Sequence, residues 1–181
     1  MKASNILIII VVVLVAITGW WIYKNDISTD DQTIPTVNSF AECQNAGYPI
    51  MESYPEQCQT PDGRTFVRDI GNENDKTDLI RLTSPRPGDK IISPLTITGE
   101  ARGTWYFEAS FPVEIQDANG NVLAQAPAQA QGEWMTENFV PFAVTIDFIA
   151  PASGEGKLIL RKDNPSGLPE NNDHLEIPII F

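Results

Sequence analysis

The chain has 181 residues, 24 acidic against 12 basic, for a formal charge of −12, with one histidine and two cysteines. So negative a chain repels nucleic acid and anionic membrane surfaces, which excludes both as partners. One histidine and two cysteines fall short of the four ligands that close a structural zinc site.

The first element is the only long apolar run, Ile6 to Tyr23 (ILIIIVVVLVAITGWWIY). Its eighteen residues at ~1.5 Å each give a helix of ~27 Å, close to the ~30 Å of a bilayer core. Met1-Lys2 supplies a basic start, and Trp20, Trp21 and Tyr23 are rings favoured at the membrane–water interface. A cleaved signal would want a shorter core and small residues at the cut, which Ala16-Ile17-Thr18 does not offer. The pattern predicts a single-pass transmembrane anchor over 1–23, left uncut. Lys2 on one side and Asp26, Asp30 and Asp31 on the other predict an internal N-terminus and extracytoplasmic C-terminal domains. Every acid and all bases but Lys2 lie beyond residue 23.

Residues 24–39 (KNDISTDDQTIPTVNS) are polar without hydrophobic period and read as a stalk. Residues 40–68 follow, a segment too short to bury a self-sufficient core. It holds both cysteines, and in an exported chain Cys43 and Cys58 most simply pair with each other. A bridge closing a ring of this size stabilises by ~3 kcal/mol in the chain-entropy account. Pro61-Asp62-Gly63 is a turn signal and Arg64-Thr65-Phe66-Val67 a short strand. The Cys-x-x-x-Gly-x-Pro … Ser-Tyr-Pro-x-Gln-Cys … Asp-Gly-x-x-Phe pattern loosely resembles small modules of bacterial exported proteins, without implying an activity. Residues 69–78 (DIGNENDKTD) form a second polar break, a linker.

From residue 79 to 181 the period becomes two. Leu95 and Ile97, Val113 and Ile115, Phe142 to Phe148, Leu158 and Leu160, and Leu175 to Ile179 each alternate with polar or small residues. Pro87-Gly88, Ser93-Pro94, Asn119-Gly120 and Ser153-Gly154 punctuate the runs, and Asn119-Gly120 is a strong hairpin signal. No stretch keeps a helical period. About seven short strands in about a hundred residues indicate an antiparallel β-sandwich of immunoglobulin-like type, without the Cys…Trp…Cys spacing of antibody domains.

Three stretches then carry a resemblance: Ser84 to Ala101 (SPRPGDKIISPLTITGEA), Phe107 to Val113 with Asp117 to Leu123, and Lys162 to Glu170 with Leu175 to Ile179. Together they resemble the bacterial spore-germination immunoglobulin-like domain over most of 79–181. The resemblance implies an immunoglobulin-like sandwich on an exported bacterial protein and brings no catalytic residue with it. In its namesake setting the domain accompanies a germination-protein module, which this chain lacks.

No Gly-x-Ser-x-Gly, phosphate loop, dinucleotide fingerprint or His-Glu-x-x-His occurs. His174 follows Asn171-Asn172-Asp173 and reads as a solvated loop residue; Glu52 and Glu56 read as surface charge. Asp69 to Asp75 and Asp163 to Asp173 are rich in oxygen donors but lack the spacing of a calcium loop. No catalytic residue, metal site or cofactor is implied. Among the aromatics, Phe107, Phe111 and Trp134 are expected in the core. In a regular strand Trp105 shares the side of Phe107, so Tyr106 is expected to point outward and to touch a partner. The expectation is a membrane-anchored, non-enzymatic binding or assembly module whose partner is a cell-envelope protein or glycan. The alternative from another class is an envelope-acting enzyme or enzyme subunit, and fold alone does not decide between them.

Overall fold

The structure, a computed structural model, describes Ile17, Thr18, Trp20, Trp21 and residues 36–181. The chain divides into two units, Met1–Thr36 and Val37–Phe181. In the first, Ile17, Thr18, Trp20 and Trp21 are helical and exposed. The anchor expected over Ile6 to Tyr23 lies otherwise outside the described residues, as do residues 24–35 of the stalk. Among the described residues, no helix is long and apolar enough to cross a membrane.

The second unit opens with a small module. Helix α1 (Phe40–Asn45) is capped by Ser39, whose hydroxyl accepts from the Glu42 amide at 3.1 Å, while the Glu42 carboxylate accepts from the Asn38 amide at 2.7 Å. This is a variant of the Ser-x-x-Glu capping box in which the carboxylate reaches the amide one residue before the cap. A meander follows: β1 (Ile50–Met51), β2 (Gln57–Gln59) and β3 (Thr65–Val67), with the turn between β2 and β3 formed at Gly63. Cys43 and Cys58 are disulfide-bonded with Cα atoms 6.1 Å apart. With Val37 and Phe40 they form the module's core, and Tyr48 and Phe66 pack against it. Val37 and Ser39, read from sequence as the end of the stalk, are therefore part of the module.

Residues 69–78 carry structure of their own. Ile70 and Glu73 are buried, and Glu73 opens a single turn, α2 (Glu73–Lys76). Seven strands follow: β4 (Ile80–Ser84), β5 (Leu95–Arg102), β6 (Ser110–Asp117), β7 (Val122–Ala130), β8 (Phe139–Ile146), β9 (Glu155–Arg161) and β10 (His174–Ile180). All named strand pairs are antiparallel, in the order β10-β9-β6-β7-β8-β5-β4. The link between β7 and β8 is only two residue pairs long, Gln129↔Ala143 and Ala130↔Phe142. At that corner the ribbon turns from a four-strand run into a three-strand run. Inward residues of both runs share one apolar cluster, with Leu82, Ile97 and Phe142 from one and Phe111, Leu160, Leu175 and Ile177 from the other. Phe111 meets Phe142 edge to face at 5.0 Å, tying the two runs at the centre.

The period-two runs lie where the alternation predicts. Asp117 organises the Asn119-Gly120 hairpin by accepting from the Asn119 and Asn121 amides at 2.9 Å each, and Gly120 takes φ 81°. His174 departs from expectation. It is half-buried and begins β10 opposite Arg161, because the strand ladder extends to the end of β9 and draws the residue out of the loop.

Candidate functional site

Three connections meet at one end of the strands: 103–109 after β5, 131–138 after β7, and 162–173 after β9. The first begins at Gly103, where a Cβ would collide with the Trp134 and Thr136 carbonyl oxygens of the second. The glycine permits that approach, and its own amide donates to Asn138 O at 3.2 Å. Arg102 adds a bond from Nη1 to Glu137 O at 3.0 Å, and its guanidinium and that of Arg81 each lie 4.1 Å from the Phe139 ring. The third connection is joined through the Asp163 amide, which donates to Trp105 O at 3.0 Å.

Gly103–Trp105 is a 3-10 turn, not strand, and this corrects the orientation expected of the aromatics. The turn breaks the two-residue alternation, so consecutive rings at 105 and 106 both point inward. Trp105 is 1% and Tyr106 4% exposed, whereas Phe107 is 41% exposed. The Tyr106 hydroxyl donates to Val140 O at 2.7 Å, and its ring meets Phe111 edge-on at 5.2 Å. Burial pushes the Tyr106 phenol up to about 12. Tyr106 is a core residue, and the outward ring is Phe107, which had been expected inside. Phe111 is buried and Trp134 packs half-buried against the core.

Phe107 sits at the base of a tight turn. Its amide donates to Ser110 O at 3.0 Å, and the Ser110 amide returns a bond to Phe107 O at 3.1 Å. The two tip residues, Glu108 (φ 49°) and Ala109 (φ 62°), both lie in the left-handed region. Such turns favour Asn-Gly, and each non-glycine residue there costs about 1 kcal/mol. The tip is held by the Ala130 amide, which donates to Ala109 O at 2.8 Å. Below it lies a groove of about 410 Å³ lined by Ser110, Pro112, Gln125, Pro127 and Asp163 among others. Pro112 and Pro127 face one another across the β6–β7 pair and give the groove an apolar floor. Met135 and Leu168 stand exposed on the other two connections. The third connection is internally braced, with Asn164 Nδ2 donating to Leu168 O at 2.8 Å and to Asn172 Oδ1 at 2.7 Å. Apolar side chains on a hydrogen-bonded platform suit recognition, and no paired acid and base line the groove.

A second groove, of about 360 Å³, lies where the small module meets the strands, with Tyr54, Glu56, Arg68, Arg86 and Asp89 in its wall. Arg86 donates through Nη1 to Glu73 Oε1 at 3.0 Å and to Leu82 O at 2.8 Å, and through Nη2 to the Tyr54 hydroxyl at 2.9 Å. The Tyr54 hydroxyl also donates to Glu73 Oε2. Burial, then the Glu73 carboxylate, pushes the Tyr54 phenol up to about 12. The sequence offers no spacing rule for this triad. Glu56 is not simply surface charge: its Oε2 pairs with Arg68 Nε at 2.6 Å, while Glu52 is exposed. Asp69 caps its own turn through the Gly71 amide at 2.8 Å, and Asp173 pairs with Lys76 at 2.6 Å. Among the described residues, no group of three or more His, Cys, Asp or Glu side chains gathers as a metal site would.

Residues 79–167 match the family model described as the immunoglobulin-like domain of bacterial spore germination, the family that the sequence resembles. The match covers β4 to β9 and ends within the third connection. No curated protein and no solved structure matches the chain.

Proposed function

We propose that the chain is a membrane-anchored, extracytoplasmic bacterial protein whose immunoglobulin-like sandwich is a non-catalytic binding or assembly module, with a cell-envelope protein or glycan as partner. The family match and the strand order support the sandwich. Seven strands folded at the β7–β8 corner give runs of three and four, as in sandwiches whose end loops bind ligands. The anchor rests on the apolar run Ile6 to Tyr23 and its aromatic flank.

The observation that carries the binding reading is the exposed Phe107 on a turn with two non-glycine residues at positive φ. Backbone strain and an outward aromatic ring at one spot oppose stability and suit contact. Tyr106 serves here as support: its ring and hydroxyl fix the base of the turn that presents Phe107.

The test is affinity capture from envelope extracts with the full chain and with a Phe107→Ser/Met135→Ser variant. A partner that is retained by the natural chain and lost by at least tenfold with the variant supports the reading. Equal recovery by both, with the variant folded by circular dichroism, would overturn it.

A further inference from the structure

We propose that the groove on the outer face of β6 and β7 binds a neutral or amino-sugar saccharide chain, an assignment that rests on the binding reading above and gives its partner a chemical class. Asp163 and Gln125 take the hydroxyls, and the prolines and Phe107 take the faces of the sugar rings.

The groove is one face of two paired strands. Phe111 and Ala128 are buried in the core, so by alternation Ser110 and Pro112 on β6, and Gln125 and Pro127 on β7, point outward. Pro112 and Pro127 are direct partners, which sets two pyrrolidine rings side by side as a floor without side-chain hydrogen-bonding groups. Phe107 and Ser110 are likewise paired across their turn, and paired residues share a face. The exposed Phe107 ring therefore stands beside Ser110 at the end of the groove.

The walls carry polar side chains with nothing to bond. Asp163 is half-buried, and among the described residues none donates to its carboxylate or pairs with it as a cation. The Gln125 side-chain amide is equally without a partner among the described residues. A carboxylate only accepts, and withdrawing one from water without donors costs free energy, so a fitting ligand brings donors to Asp163. The Gln125 amide and the Ser110 hydroxyl both donate and accept, and are matched by ligand groups that do the same. Sugars have this construction, with hydroxyls around the ring and C–H groups on its faces.

Charge narrows the class further. Glu114, directly opposite Gln125, is already bound by Arg161 at 2.6 and 2.9 Å, and Asp163 is the single charged residue lining the groove. In a chain of −12 a carboxylate at that place repels phosphorylated and carboxylated glycans. One acid is too little charge to select a basic peptide. An acyl chain would cover Asp163 and Gln125 and leave both without partners. The volume of about 410 Å³ lies within the ~300–1,000 Å³ of small-ligand clefts.

The test is isothermal titration of the full chain, held in a sugar-free detergent, with the soluble tetrasaccharides of N-acetylglucosamine, glucosamine and glucose. At least one should bind and saturate by about 10 mM, ten times a millimolar Kd. Asp163→Ala and Gln125→Ala should each weaken that binding by about fivefold or more, as the loss of one ligand hydrogen bond does. Their urea midpoints should match that of the natural chain, because neither side chain has a partner within it. No binding of any of the three sugars, or binding that both variants leave intact, would overturn the proposal. Capture of a protein that Phe107→Ser/Met135→Ser loses, with no sugar bound, would overturn the saccharide alone and leave the binding reading standing.

Discussion

The disulfide module and the strand domain solve the same problem by different means. The strand domain has an apolar cluster drawn from all seven strands and contains no cysteine. The module has four buried residues in its core, two of them the bonded cysteines. A core that small cannot offset the entropy of ordering its chain, and the crosslink reduces that entropy in the unfolded state. The difference also shows in how side chains are used. In the strand domain Phe111 and Phe142 fill space, whereas in the module Arg68 lies 4.4 Å from the Phe40 ring and covers it with a cation.

The largest effect should come from the centre of the strand domain. Phe111→Ala removes a wholly buried ring that contacts both Tyr106 and Phe142, and about 3–5 kcal/mol should be lost in denaturant unfolding. A loss near 1 kcal/mol would mean that the core collapses around the gap and that the two runs are less tightly tied than Phe111–Phe142 implies. Next is Cys43→Ser, for which about 3 kcal/mol is expected within the module. Tyr54 lies on the module and helps to hold Glu73 and Arg86, so the loss should spread across the join. Amide exchange reads this directly: protection at Gln59 should fall most, with a smaller fall at Asn72 and Ile91. Unchanged protection at Asn72 and Ile91 would mean that the module and strands fold separately.

The strands of the large domain were legible because alternation is a local signal. The inward residues from Leu95 to Ile179 lie on the buried face that the pattern assigns them. What stayed hidden depended on contacts distant in sequence. The inversion at Tyr106 and Phe107 follows from a 3-10 turn at Gly103, and the turn is set by the Trp134 and Thr136 carbonyls about thirty residues away. Residues 69–78 read as a linker because they are polar. Asn72 is polar because its amide stands in for a strand partner along β10, some hundred residues later. The candidate groove was equally hidden, since Ser110, Pro127 and Asp163 meet only after three strands have paired.

The join between the two regions sets the third effect. Arg86→Ala removes the donors to Glu73, Leu82 O and Tyr54, and leaves the 6%-exposed Glu73 carboxylate with the tyrosine hydroxyl alone. About 1–3 kcal/mol should be lost, because unmet hydrogen bonds at a buried acid cost more than a surface pair supplies. Adding Glu73→Gln should recover part of that loss in a double-mutant cycle, since it removes the stranded charge. Additive losses would mean that Arg86 acts through Leu82 O and not through the acid.

The smallest effect lies on the outer face of the four-strand run. Glu114 faces out of β6 but is buried beneath Arg161, whose Nε and Nη2 reach its two carboxylate oxygens at 2.6 and 2.9 Å, and Gln116 donates to it at 2.7 Å. The hydrogen bonds from Arg161 hold its carboxyl below the ordinary glutamate value, outweighing the opposite push from burial. A carboxyl depressed in the folded state binds protons more weakly there than in the unfolded chain. Its contribution is therefore present above the unfolded value of about 4.3 and lost as pH falls through the depressed folded value. Stability of the natural chain should thus decline on acidification below about pH 4.3, and Glu114→Gln should flatten that limb by about 1 kcal/mol or less, because Arg161 is partly exposed. Urea midpoints between pH 2.5 and 7 measure both slopes. Parallel curves would assign the acid sensitivity to other carboxylates.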